Sequence, residues 1–524
     1  MKAGDRVLLA CGQRYGPLHL RLEGRGGPAL YVGPERTCAA GQEPVLDARG
    51  SVAWVPAGSE PGRWMAETAG RVTQVFSGDA PLPRARYPKD GYLMLPAQTP
   101  ATADQWPAGP PSLQLGPQRP LQGARLHART QEWFLEEAQV IDGEGRLQPA
   151  MRYPLRPKVG VYFSGKPWML DEQAAWAFDT STRQLWLAGA PPVRMSVSLN
   201  QPLLQVVGSG SLKLEGVQLF AAGADALRVH LDGEASVART TVHWAAGHGM
   251  NFIGLKRVRV QDSLVQHTGM DGIFFAEVRF AEVLDNQVLE AGLYLAPGPA
   301  LAAINVHRTD AALVQGNLVQ RAAYHGIRFA GDARIKGNVV LDSCLLLSDC
   351  AGIYTWRRHA EDVRSQAWVT GNVVAGVRGD TSVKLGVNDW FVGIYLDNYS
   401  NHVTVSDNLV VGANQGIYLH DAWEVQVRHN LVLASQRPLV NAADPEKLSP
   451  ERVKLQVLEE NDVKRGDWRL VWPGVPADSR VVGPLYVTGA HQGVPGDRSR
   501  CSVSPGSKRL IEAGVRATEV MLCP

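Results

Sequence analysis

Through the second half of the chain one short pattern keeps returning: a small residue, an apolar residue, any residue, and a second apolar residue. It reads ALRV at 226–229, GMNF at 249–252, GIFF at 272–275, AINV at 303–306, GIRF at 326–329, GIYT at 352–355, and GIYL at both 393–396 and 416–419. Successive starts lie 23, 23, 31, 23, 26, 41 and 23 residues apart, so the commonest step is 23 and the rest are longer, as loop insertions would make them. A second pattern, Asn-x-Val, opens at Asn286, Asn317, Asn338, Asn372, Asn408 and Asn430, with Ser263 in the same place 23 residues before Asn286. Both patterns lengthen by 8 across the same interval, which two unrelated coincidences would not do.

Each repeat predicts short strands with side chains alternating between two faces. A single coil cannot bury its apolar face, but stacked coils make one continuous core. The expected inward columns are Leu227, Met250, Ile273, Ile304, Ile327, Ile353, Ile394 and Ile417, and then Val229, Phe252, Phe275, Val306, Phe329, Thr355, Leu396 and Leu419. The Asn column is expected at turns, bonding between coils and tolerating left-handed backbone. The glycines are expected to permit sharp strand entry.

The alternate positions must then face outward. They run Arg228, Asn251, Phe274, Asn305, Arg328, Tyr354, Tyr395, Tyr418, and His230, Ile253, Ala276, His307, Ala330, Trp356, Asp397, His420. A solvated strand face ordinarily carries Lys, Glu, Thr and Ser. Aromatic rings, histidines and an aspartate instead suit a groove that stacks on sugar rings and bonds their hydroxyls.

Composition narrows this picture. A hydrophobic content of 45% with 20% charged residues excludes a disordered chain, and 54 glycines with 34 prolines favour a turn-rich β protein. The 53 basic residues against 51 acidic ones leave no footprint for nucleic acid, and no apolar run is long enough to span a bilayer. Six cysteines fall into local pairs, Cys11 with Cys38, Cys344 with Cys350, and Cys501 with Cys523. Disulfides, and hence a secreted or periplasmic protein, are one reading; buried free thiols are the other. The N-terminal MKAGDRVLLACG is too short in its apolar run for a signal peptide. No nucleotide-binding, nucleophile-elbow or paired metal-ligand motif is present, so neither a cofactor nor a metal is expected.

The repeats resemble the pectin-lyase-like superfamily of right-handed parallel β-helices, most clearly over residues 196–445. The N-terminal GDRVLLACGQRYGPLHL and PVLDARG resemble the opening coils of bacterial β-helix glycoside hydrolases, and the stretches 64–92 and 166–190 resemble a β-rich module that interrupts the early helix in such proteins. The resemblance implies an all-β solenoid with first coils over 1–60, an inserted module over 61–195, the main helix over 196–445 and a C-terminal cap over 446–524.

Within this frame Asp397, ending the strand GIYLD, is the leading catalytic candidate. One coil later stand His420 and Asp421, and adjacent coils are roughly 4.8 Å apart. Glycoside hydrolysis needs two carboxyl groups, one acting as proton donor, and stacked acids raise one of the pair. Related glycosidase families place one Asp and then an acidic pair in the next coil; Asp397 and Asp421 match two such places, while His420 stands where an acid is usual. A turn aspartate bonding its own loop is the alternative for Asp397. Asp349 precedes GIYTW beside the Cys344/Cys350 pair, and Trp356 and Arg357 follow it, the arginine suited to clamping a uronate. Tyr354, Tyr395, Tyr418, Arg328 and His307 would line the groove. His248, Asp271 and His325, each just before the small residue of its strand, either extend it or serve as turn groups satisfied by neighbouring coils.

Three functions follow. A hydrolase of a polysaccharide or oligosaccharide would use Asp397 and Asp421, helped by Asp349 or His420. A polysaccharide lyase or uronate C5-epimerase would use His420 or His325 as base and Arg328 or Arg357 to neutralise the uronate. A non-catalytic β-helix would only bind sugar.

Overall fold

A computed structural model describes residues 1–442 except 25, 59–61, 100, 107–118, 172–174, 190–192, 295–300, 360–365, 384–389, 434 and 436, and beyond them only four short strands. Those four, Val457–Glu459, Asp462–Lys464, Arg469–Val471 and Val487–Thr488, continue the parallel pairing of the coils before them. The rest of the expected cap, with Cys501 and Cys523, lies outside the described residues.

The chain winds into a right-handed parallel β-helix. A representative coil runs Met250–Ile253, Arg257–Gln261, Leu264–Thr268, and each strand pairs in parallel with its counterpart one coil on. The first expected inward column is in register from Leu227 through Met250, Ile273, Ile304, Ile327, Ile353 and Ile394 to Ile417, and every member is essentially inaccessible to solvent. A bulge interrupts the second. Between Ile273–Leu284 and Ala302–Gln315 the register shifts so that Ala276 faces Arg308, not His307.

Two expectations are right about place and wrong about cause. The glycines before the inward column do not need unusual backbone. A Cβ at Gly249, Gly272, Gly326, Gly352 or Gly393 would stand 2.3–2.4 Å from a Cγ of Val265, Val288, Val340, Val374 or Val410. They are glycines because the valine of the Asn-x-Val element occupies that volume. Likewise the left-handed residue of each turn is not the Asn but the one before it: Asp285, Gly316, Gly337, Gly371, Asp407 and His429 have φ between 53° and 71°.

The Asn column itself is a buried ladder. Asn317 Nδ2 donates to Asn338 Oδ1 at 2.9 Å and to Val283 O at 2.8 Å, while its backbone N–H reaches the same Oδ1 at 3.0 Å. Asn338, Asn372 and Asn408 repeat the pattern at 2.8–3.1 Å. A buried amide is costly unless bonded, and here each bonds the next.

The N-terminal coils are built from distant segments. Leu18–Leu22 pairs in parallel with Leu204–Gly208, and Val45–Asp47 with Gln218–Ala222. Between them the chain leaves the solenoid for antiparallel sheets, among them Arg125–Gln131 with Phe134–Val140 and Gly160–Ser164, around separate apolar cores. Disulfides join Cys11 to Cys38 and Cys344 to Cys350. Among the described residues no helix is long and apolar enough to cross a membrane.

Candidate active site

Three consecutive strands, Cys350–Thr355, Phe391–Leu396 and Gln415–His420, stack Tyr354, Tyr395 and Tyr418 in register on the outer face. The alternation is as expected, but the exposure is not. Tyr395 is fully buried, and Tyr354 and Tyr418 nearly so. Tyr395 and Tyr418 stack on each other with centroids 5.0 Å apart, Tyr354 meets Tyr395 edge-on at 5.4 Å, and Trp390 closes against Tyr418 at 5.8 Å. At strand spacing the rings satisfy one another, so they offer hydroxyls, not ring faces, to a ligand.

Those hydroxyls meet a polar cluster at the strand ends. Tyr354 donates to Asp397 Oδ2 at 2.8 Å. Asp397 Oδ1 accepts from Asn398 N at 2.8 Å and Asn398 Nδ2 at 3.0 Å, and lies 2.7 Å from His420 Nδ1. Tyr395 Oη is 3.4 Å from that same nitrogen and also hydrogen-bonds Asp349. Tyr395 therefore links the two acids. Oδ2 of Asp397, while holding the Tyr354 hydroxyl, keeps a lone pair for another partner.

Asp349 is held differently. It follows the strand-entry loop closed by the Cys344–Cys350 disulfide and has φ 53°, a left-handed conformation uncommon for a side-chain-bearing residue. Its Oδ1 is buried without a hydrogen-bond partner. Burial, then the nearby charge of Asp397, pushes its carboxyl up to about 7, with Glu132 adding to the rise and His420 and the Tyr395 hydrogen bond opposing it. Its loop is braced from the inserted sheets. Arg129, wholly buried, donates to Ser348 Oγ at 2.9 Å and to Asp380 Oδ2 at 3.1 Å, and Ser348 N donates to Glu132 O at 3.0 Å.

The other expected residues divide. His325 lies under the cluster, its ring 3.8 Å from that of Tyr324 and 3.9 Å from that of Tyr354, and its Nδ1 accepts the Ala351 N–H at 3.1 Å. Burial holds it far below the usual histidine range, so it is a neutral spacer. Arg328 is the cross-strand neighbour of Tyr354; burial lowers its pKa, and its Nε is unpartnered. His307, displaced by the bulge, stacks on Trp356 at 5.6 Å, and burial takes it down to about 3. Arg357 turns to Asn401 O at 3.1 Å. Asp271 is a turn group: Oδ1 accepts from Leu301 N and Ala302 N, and Oδ2 from Asn305 Nδ2. His248 stacks on Phe274 several coils away. Asp421 corrects an expectation. It follows the strand end with φ 49° and is fully buried, 3.8 Å from His420 Nε2, and so does not stand on the outward face where it was expected.

The sequence reading missed Trp390, Tyr324, Glu132 and Arg129. Trp390 had a signal, since Cys350 pairs with Phe391 and it therefore occupies the position of Asp349 one coil on. The arginine and the glutamate come from a non-repeating segment some 220 residues away, and no periodicity points to them. Among the described residues no group of three potential metal ligands converges.

No protein-family profile and no curated protein matches the chain. Among solved structures it is similar to one described as a glycoside hydrolase, with 13% identity and TM-score 0.56 over 86% of this chain and 90% of that one. The fold is that of a β-helix protein. It is also similar to XylC in complex with xylose (9% identity, TM-score 0.44, 89% and 78% covered) and to the catalytic unit of an α-1,3-glucanase from Streptomyces thermodiastaticus (9%, 0.32, 79% and 90%). At such identities the likeness is one of fold.

Proposed function

We propose that this β-helix protein is a glycoside hydrolase in which Asp349 is the proton donor and Asp397 the partner carboxylate. One observation carries the reading: a carboxyl raised to about 7 with an unpartnered oxygen is joined through Tyr395 and His420 to a second carboxyl that accepts hydrogen bonds at both oxygens. Two acids in unlike environments divide the acid and base roles that glycosidic cleavage requires. In the reaction Asp349 would give its proton to the glycosidic oxygen as the bond to the anomeric carbon breaks. Asp397 Oδ2 would face the positive charge developing at that carbon, where a water oxygen bonds in turn and gives its proton to one of the two carboxylates. Tyr354 and His420 fix the Asp397 carboxylate, so it need not reorganise during the reaction. The glycoside hydrolase description of a structure sharing the fold agrees with this reading. The two disulfides favour export to an oxidising compartment.

A lyase or epimerase finds less support. His325 Nδ1 accepts a backbone N–H, which leaves its neutral ring no lone pair to take a proton, and Arg357, one of the two expected uronate neutralisers, is turned to the carbonyl of Asn401. The test is incubation with neutral and acidic oligosaccharide panels. New reducing ends without ultraviolet-absorbing unsaturated product, lost in Asp349→Asn and Asp397→Asn, are expected. An unsaturated product would replace hydrolysis with elimination, and sugar binding without turnover would leave a binding protein.

A further inference from the structure

Where the inserted sheets meet the wall of the solenoid, bordering at Leu346 the loop that carries Asp349, lies a cavity of about 480 Å3. That is within the range of roughly 300–1,000 Å3 typical of small-ligand sites. The inserted segment supplies Arg84, Arg86, Tyr162 and Ser164, and the solenoid supplies Tyr294 and Leu346. Its electrostatics are one-sided. Arg86 lies over the Tyr162 ring at 3.7 Å, and its hydrogen bonds go to the carbonyls of Pro88 and Gly91. Arg84 packs on Trp176 at 4.9 Å and donates to Thr73 O at 3.2 Å. Neither has a carboxylate ion-pair partner among the described residues. Behind them Arg71, Arg125 and the buried His127 share the single carboxylate of Glu137. Burial, followed by the charge of Arg71, takes Arg84 down to about 10, and burial with Arg71 and Arg84 takes Arg125 to about 9.

Arg84 and Arg86 are partly desolvated and donate to backbone carbonyls, with the charge of Asp90 acting on Arg86 alone, so a bound anion would offset part of the cost of their burial. Arginine presents a fork that matches a carboxylate. The remaining walls are apolar (Leu82, Leu135 and Leu346) and phenolic (Tyr92 and Tyr294), a surface suited to a sugar ring. We propose that this cavity is a second binding site, distinct from the Asp349–Asp397 cluster, that takes a sugar acid with its carboxylate on Arg84 and Arg86. The choice of a sugar acid over other small anions rests on the carbohydrate reading of the fold; the need for an anion does not.

The test is calorimetric titration of the full chain with sodium galacturonate, sodium glucuronate, galactose and sodium sulfate. One of the uronates should bind at least ten times more tightly than galactose or sulfate. Arg84→Gln and, independently, Arg86→Gln should weaken that uronate at least tenfold, with melting temperatures checked so that a misfolded variant is set aside in favour of the other. Asp349→Asn should leave the binding unchanged. The proposal falls if neither uronate binds, if both arginine variants bind as wild type does, if Asp349→Asn abolishes binding, or if sulfate binds equally well, which would mean an adventitious ion only. Reducing-end release is scored separately. Uronate binding without hydrolysis sinks the catalytic reading alone, and hydrolysis without uronate binding sinks this one alone.

Discussion

Two strips of buried polar side chains run along this solenoid, and they are built to opposite rules. In the Asn ladder each amide bonds the next and the backbone beside it, and none of its members is left with an orphaned atom. In the Asp349–Asp397 cluster a carboxyl oxygen is buried without a partner, the residue bearing it has left-handed backbone, and its carboxyl is raised to about 7. Position in the repeat does not explain the contrast, since both strips follow the same coils. What differs is whether the polar atoms are used up within the fold. A strip that closes on itself stabilises the protein; one that leaves a buried carboxyl oxygen unpartnered keeps a bonding position open, and the proposed function gives that position to a substrate.

The comparison breaks first at the acids. Asp349→Asn or Asp397→Asn should lower kcat by about 10²–10⁴-fold, the usual worth of a positioned acid or base, while leaving the fold intact by circular dichroism. Loss of activity only in step with loss of folded protein would make the cluster another structural strip. Arg129→Gln should follow, with a fall in kcat of roughly 10–100-fold, because it frees the loop that aims Asp349 without touching substrate. As a positioning residue it should shift the alkaline limb of the kcat profile, and an unmoved limb with reduced kcat would count against that role.

The ladder should respond the other way. Asn338→Ala leaves the Asn317 N–H without its acceptor, a buried orphan that costs about 1–3 kcal/mol, and kcat of the remaining folded enzyme should hold. Gly352→Ala should cost about the same, as overpacking does, because its new Cβ would sit 2.3 Å from Val374 Cγ1. Denaturant midpoints read both. A wild-type midpoint for Gly352→Ala would mean that strand entry needs no empty volume there.

The unequal rules also explain what could be read beforehand. The solenoid was legible because its core repeats: Ile353, Ile394 and Ile417 occupy one column, and Gly352 and Gly393 one gap, so periodicity reported packing directly. The site was legible only in its repeating part. Asp397, His420 and Tyr354 came from the ladder and do meet. That Tyr395 would be covered, that Asp421 would be sealed, and that a bulge would shift His307 out of its column depend on local packing and not on the repeat. Arg129 and Glu132 reach the site from the inserted sheets, a contact between segments that share no period.

The smallest expected effect separates the two strips by pH. Asp349 is raised from an ordinary 3.8 to about 7, so between those values the native state holds a proton that the unfolded chain has released. Stability from this group must therefore fall as pH rises from about 4 to 7 and level off above. Asp349→Asn removes the slope, so the variant should gain on wild type as pH climbs through that window. The difference in melting temperature, variant minus wild type, should be larger at pH 7.5 than at pH 5. Catalysis should run in parallel, with kcat of wild type declining above about pH 7 as the donor loses its proton. Asn338→Ala carries no titrating group, so its deficit against wild type should be the same at both pH values. A difference between Asp349→Asn and wild type that did not grow between pH 5 and pH 7.5 would return Asp349 to the class of turn aspartates, with Asp271.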